Sequence, residues 1–209
     1  TEEKMKYRPD SFYQDNRCTV LFGTECTKID RQNKQVMLSD KSALPYDKLL
    51  LATGSVPFIP PISGLDTVKN KFTFMTLDDA NALAQALTPQ SRVLIMGAGL
   101  IGLKCAEGIL GRAGSITVID LADRILPSVL DETAASLVQA HMEKKGVRFL
   151  LSAGAERFEE NRAYLTNGQT VEFDLCVIAV GVRPATALLC DLGADAARGI
   201  VTDNTQQTA

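Results

Sequence analysis

The residues most capable of chemistry are the glycines of Gly97-Ala98-Gly99-Leu100-Ile101-Gly102, and what they can do is hold a diphosphate. Gly97 permits a tight turn, Gly99 lets backbone approach a pyrophosphate, and Gly102 lets a helix pack on the preceding strand. Leu100 and Ile101 open that helix, whose unpaired N–H groups and positive dipole end face the same place. Asp120 follows about twenty residues later, where a carboxylate accepts hydrogen bonds from a ribose 2′-OH. A 2′-phosphate would be repelled by that acid, so the pattern favours NAD(H) over NADP(H). Arg124, four residues on, complicates the choice; its bland reading is a solvated loop residue.

Positioning these residues requires a strand, a turn, a helix and a second strand, and the chain supplies them in order. Val93–Met96 is an apolar run too short for a helix, and Ile116–Ile119 is another that ends at Asp120. A third parallel strand is expected over Val147–Leu151 and a further buried one over Asp174–Ala179. The latter ends at Val180-Gly181, and ligands of open α/β sheets bind at such carboxyl ends. Between these two strands, turns at Asn161-Arg162 and Asn167-Gly168 mark an antiparallel meander over 156–173.

Upstream, Cys18–Phe22 reads as a strand, and Thr24–Asp30 with Gln35–Leu38 reads as a hairpin. Tyr46–Leu51 reads as a buried strand running into Ala52-Thr53-Gly54, small residues that admit another backbone or a ligand. The prolines at 57, 60 and 61 indicate a linker over 55–72. Thr76-Leu-Asp-Asp79 resembles a capping box opening a helix to Leu87, and Asp131 caps a second helix to Lys145. The apolar stripe of that second helix is read as Ala134, Leu137, Val138, His141 and Met142. The tail Gly199–Asp203 begins as a strand.

At 209 residues, with 45% hydrophobic content and a net charge of −3, the chain gives no electrostatic reason to expect nucleic acid. No apolar run approaches a membrane span, and a cytoplasmic location is expected. The five cysteines have no metal or CxxC spacing and read as reduced thiols; no metal site is expected. His141, the single histidine, has no evident partner and reads as structural.

Taken together, these segments resemble the pyridine nucleotide–disulfide oxidoreductases, the two-dinucleotide-binding-domain flavoproteins. The resemblance rests on Tyr46–Ser55, the glycines at 97–102, Asp120, Phe173-Asp174 with Ala179–Pro184, and Gly199–Asp203. The phrase Leu77-Asp-Asp-Ala80 is most similar to the NADH-dependent ferredoxin, rubredoxin and nitrite reductase branch. The implied fold is α/β: a Rossmann-like three-layer NAD(P)-binding domain over 76–190, carrying the antiparallel β-meander. A partial FAD-binding domain of the same type would occupy 1–75 and return over 191–209.

The resemblance further implies an internal fragment of a larger FAD-dependent oxidoreductase, with Ala52, Thr53 and Gly54 on the flavin in the parent protein. Val180 and Gly181 would border the nicotinamide. In such an enzyme NADH reduces FAD, and the flavin passes electrons to an acceptor protein or small molecule. The flavin does the electron chemistry, so no side chain is assigned a catalytic role. The alternative is a non-catalytic NAD(H)-binding module that neither retains FAD nor turns over. A single-domain carbonyl reductase is disfavoured, because Tyr164 has no Lys four residues on. One departure stands out: Lys104 occupies a position where the family usually has Glu, near the nicotinamide–flavin contact.

Overall fold

The computed structural model describes residues 6–190 and 199–208, with the side chain of Cys190 outside the description. Contacts divide the chain into two compact units, one of residues 1–53 with 185–209 and the other of 54–184.

In the first unit, α1 (Phe12–Asp15) is a single exposed turn. A three-stranded antiparallel sheet follows, with β1 (Cys26–Asp30), β2 (Gln35–Leu38) and β3 (Ala43–Pro45) in that order. The hairpin lies where the turn residues Arg31–Lys34 place it, with Asp30 opposite Gln35. Asp30 closes that turn by accepting the Asn33 N–H at 3.0 Å. Ile29 and Leu38 are the buried side chains of this hairpin.

Three expected strands in this unit are not strands. Cys18–Phe22 and Tyr46–Leu51 have no ladder partner among the described residues, and Phe22 and Leu50 are 81% and 87% exposed. Apolar runs mark segments suited to burial, but a strand exists only where another backbone takes its N–H and C=O groups. Gly199–Asp203 is also irregular, ending where Asp203 accepts the N–H groups of Thr205 and Gln207.

The second unit opens with β4 (Ser55–Pro57), which lies inside the segment expected to be a linker. A 3₁₀ turn over Leu65–Thr67 and β5 (Lys71–Phe72) complete that segment, and Leu65 and Val68 are buried. Proline content does not forbid this order, because a strand edge that donates nothing tolerates proline.

Helix α2 (Leu77–Ala86) begins at the full capping box between Thr76 and Asp79. Then come β6 (Arg92–Met96), α3 (Leu100–Ile109), β7 (Ser115–Ile119), α4 (Glu132–Lys144) and β8 (Val147–Leu150). The meander is β9 (Ala155–Glu159), β10 (Arg162–Leu165) and β11 (Thr170–Glu172), followed by β12 (Leu175–Ile178) and β13 (Val182–Pro184). The five-stranded sheet has the order β5-β12-β6-β7-β8 and is parallel throughout. β13 pairs with β4 as a separate antiparallel ribbon, Val182 opposite Pro57.

Alternation along β6 builds two cores. Val93 and Ile95 pack with Leu83 of α2, Ala106 of α3 and Met142 of α4. Leu94 and Met96 pack on the other face with Phe158, Leu165 and Phe173 from the meander region. The unit is therefore three layers: helices, parallel sheet and meander. Of the expected stripe of helix α4 only Met142 is buried, and Ala135 takes the other seat, since Leu137 is 69% exposed. His141 is exposed as well. Among the described residues no helix is long and apolar enough to cross a membrane.

Candidate dinucleotide site

The connection leaving β6 runs to one side through α3, and β12 lies on the other, so the strand order reverses between them. Such a switch point opens a crevice at the carboxyl ends of the two strands. Gly97 follows β6 there, and Ala179, Val180 and Gly181 follow β12.

Backbone geometry makes two of the three glycines, Gly97 and Gly102, obligatory. Gly97 has φ +108°, and a Cβ built on it would collide with the Ala179 carbonyl. Ala179 in turn donates its N–H to the Met96 carbonyl at 2.8 Å, holding the two strand ends together. A Cβ on Gly102 would strike the Gly97 carbonyl, so α3 can pack this close only without one. Gly99 differs: nothing lies within 4 Å of its Cβ position. It is the N-cap of α3 and offers no side chain to the helix. The first-turn amides beyond it, at Leu100, Ile101 and Gly102, have no intrahelical acceptor. Leu100 is 60% exposed. An anion fits this arrangement.

Asp120 stands at the end of β7 and is built into the turn. Its Oδ2 accepts the Ala98 N–H at 2.6 Å and its Oδ1 accepts the Ala122 N–H at 2.8 Å. The Ala98 carbonyl accepts the Leu126 N–H at 2.9 Å, so Ala98 is held from both sides. Each carboxylate oxygen keeps acceptor capacity for a further donor such as a hydroxyl. Arg124 is turned toward Asp123, with Nη1 at 3.2 Å, and its Nε is buried without a hydrogen-bond partner.

Lys104 projects from α3 and is 73% exposed along its side chain. Its ammonium pairs with Glu107 one turn further on, at 2.7 Å. The same bond holds the Glu107 carboxyl below its ordinary value. The positive charge is thus answered on its own helix, a pairing that the i, i+3 spacing allows and the sequence reading leaves open.

Ala52 and Thr53 lie in an irregular exposed segment of the first unit, where the Thr53 hydroxyl donates to the Ala185 carbonyl at 2.6 Å. Gly54 begins the second unit. Val180 is 39% exposed beside Gly181, whose carbonyl accepts the Phe58 N–H at 3.0 Å. The glycines, Leu100, Ile101 and Asp120 are thus brought together at one sheet edge with Val180 and Gly181. Sequence reasoning misses Ala98 and Leu126, whose backbone groups join the loop after β7 to the glycine turn; neither side chain signals this.

A family model described as pyridine nucleotide-disulphide oxidoreductase matches residues 3–209. The nitrite reductase [NAD(P)H] of Bacillus subtilis is 36% identical over 94% of this chain and 25% of its own length. The rubredoxin-NAD(+) reductase of Pseudomonas putida is 29% identical over 100% of this chain and 55% of its own. Among solved structures, the reductase in a covalent putidaredoxin reductase–putidaredoxin complex superposes with a TM-score of 0.86 at 28% identity, covering 99% of this chain and 52% of that one. The chain spans between a quarter and about half of the curated relatives it matches. With the three-layer fold and the glycine turn at its switch point, this match establishes that the chain belongs to the pyridine nucleotide-disulphide oxidoreductase family.

Proposed function

We propose that residues 76–190 form the NADH-binding part of an FAD-dependent oxidoreductase that delivers electrons to a protein or small-molecule acceptor. The observation carrying this reading is the open N-terminus of α3 set beside Asp120, whose carboxylate is already anchored to Ala98. In this reading Gly97, Gly99 and Gly102 shape the diphosphate cradle, and the amides at Leu100 and Ile101 donate to it. Asp120 holds the adenosine ribose and disfavours a 2′-phosphate, while Arg124 is engaged with Asp123. Val180 and Gly181, at the other lip of the crevice, border the nicotinamide. Bound flavin supplies the electron transfer, and the chain's own residues bind and orient. Ala52, Thr53 and Gly54 belong to the flavin side of the complete protein, with 1–75 and 191–209 as parts of its FAD-binding domain.

Relatives named for rubredoxin and ferredoxin reduction favour a redox protein as acceptor, and those named for nitrite reduction favour a small molecule. The buried cysteines are compatible with a cytoplasmic location. The test is spectroscopic. A protein containing this chain together with its flanking sequence should purify with flavin absorbance that bleaches under NADH. A colourless protein, or one whose flavin is unaffected by NADH, would exclude the reading.

A narrower reading holds for the 209 residues by themselves: they bind NADH without turnover and do not retain FAD. The short span relative to the family favours it. Flavin titration with and without NADH measures both properties.

A further inference from the structure

The hairpin between β10 and β11 turns through Thr166, Asn167 and Gly168, and all three are exposed. Gly168 takes the left-handed conformation at φ +81° and donates its N–H to the Leu165 carbonyl at 2.9 Å. A Cβ built on it meets nothing within 4 Å, so no neighbour crowds the glycine. The Asn167 side chain folds back over this peptide, its Oδ1 accepting the Gln169 N–H at 3.0 Å. That bond closes an Asx ring containing both the Gly168 nitrogen and the Asn167 side-chain carbonyl carbon. The ring limits how far the carbon can swing from the nitrogen, which is the proximity that cyclisation requires. The Gln169 donor also draws electron density from that carbon, in the manner of a weak oxyanion hole. No other asparagine of the chain precedes a glycine. Next to it, Thr166 donates its N–H to the Gly154 carbonyl at 2.9 Å, and its hydroxyl accepts the Gly154 N–H at 3.1 Å. The hairpin tip thus holds the segment that joins β8 to β9.

We infer that Asn167 is a site of spontaneous deamidation, at which the turn supplies the nucleophile and water is the co-substrate, and that the product releases the Thr166 hold on Gly154. The inference is independent of the dinucleotide reading. The reaction balances without oxidant or reductant. Hydroxide removes the Gly168 amide proton once the bond to Leu165 opens, a local event at an exposed hairpin tip. The nitrogen then attacks the Asn167 Cγ. The N–Cγ bond forms, the Cγ–Nδ2 bond breaks, and ammonia leaves with a proton from water. A second water opens the cyclic imide. Attack at Cγ restores the ordinary backbone as aspartate, whereas attack at the Asn167 main-chain carbonyl leaves isoaspartate, in which the chain runs through Cβ and Cγ. The isoaspartyl product carries an extra backbone carbon between Thr166 and Gly168. Leu165, whose N–H donates to the Gln169 carbonyl at 2.8 Å, then loses its register with Gln169, and Thr166 is drawn off Gly154.

The experiment is ageing of the 209-residue chain in warm, mildly alkaline buffer, read by peptide mapping with mass spectrometry, ammonia release and isoaspartyl methyltransferase labelling. The Asn167 peptide is expected to gain the mass of an amide-to-acid exchange before any other, with isoaspartate among its products. Gly168→Ala crowds the attacking nitrogen and should slow the exchange by at least about tenfold. Asn167→Gln keeps Gly168 and its φ, so it folds even if alanine at φ +81° does not, and its peptide should stay unchanged through the ageing. Asn167→Asp carries the charge of the product on an unaltered backbone and should unfold in urea like the parent, while the isoaspartyl fraction should unfold at lower urea. Exchange first at another asparagine, or a Gly168→Ala peptide ageing at the parental rate, would overturn the assignment. An isoaspartyl fraction as stable as the parent would overturn the release of Gly154.

Discussion

The carbonyl carbon of Ala179 lies only 2.7 Å from where a Cβ on Gly97 would sit. Two strand ends separated by most of the unit's sequence thus meet at a point with room for a hydrogen and nothing larger. That contact explains why the first position of the motif must be glycine.

Gly97→Ala tests this contact. The new methyl meets the Ala179 carbonyl, and φ +108° is disfavoured for alanine. Thermal or urea unfolding should show a loss of about 2–4 kcal/mol, combining overpacking with backbone strain. Gly99→Ala, which meets nothing, should unfold like the parent while losing NADH affinity. Equal stability losses in the two variants would contradict the structural division between these glycines.

Cysteine labelling separates surface from core. Cys105 and Cys176 are fully buried, and loss of solvation pushes both thiols up to about 12. Cys18 is exposed. Alkylation at mildly alkaline pH followed by peptide mapping should mark Cys18 within minutes and spare Cys105 and Cys176 until denaturant is added. Labelling of Cys105 in the folded chain would mean that the α3 interface opens.

At the amino end of the sheet, Arg92 grips Asp174 through Nε and Nη2, at 3.1 and 2.9 Å, and also donates its backbone N–H to the same carboxylate. Those bonds hold the Asp174 carboxyl below the ordinary value of 3.8. A depressed folded-state value contributes stability that is present above the unfolded value and is lost as pH falls through the folded one. Asp174→Asn should therefore lower the melting temperature at neutral pH and narrow the gap to the parent at about pH 3 and below. A pH-independent gap would assign the effect to packing.

The legible parts of this fold are those that answer to local demands. The Thr76–Asp79 capping box, the Asp131 cap and the 31–34 turn each satisfy backbone groups within a few residues, and each lies where the sequence places it. Non-local requirements were harder. Cys18–Phe22 has the composition of a strand but no partner among the described residues. Residues 55–72 lack that composition, yet they supply β4 and β5, because β13 and β12 come from more than a hundred residues away to pair with them. The stripe of α4 is legible only at Met142; Ala135 is the second buried residue that seats the helix, and Leu137 stays exposed. At the site, the glycines and Asp120 were readable from type and spacing. The clasp on Ala98 was not, since it is made by backbone groups of residues whose side chains carry no signal.

NADH titration of the unmodified chain and of Asp120→Ala is the most direct test of the dinucleotide site. The unmodified chain should bind NADH more tightly than NADPH. The variant should lose about tenfold in NADH affinity, from the lost ribose contact and the loosened turn, and should narrow the preference over NADPH. Equal NADH affinity in the two proteins would remove Asp120 from the site and contradict the proposal.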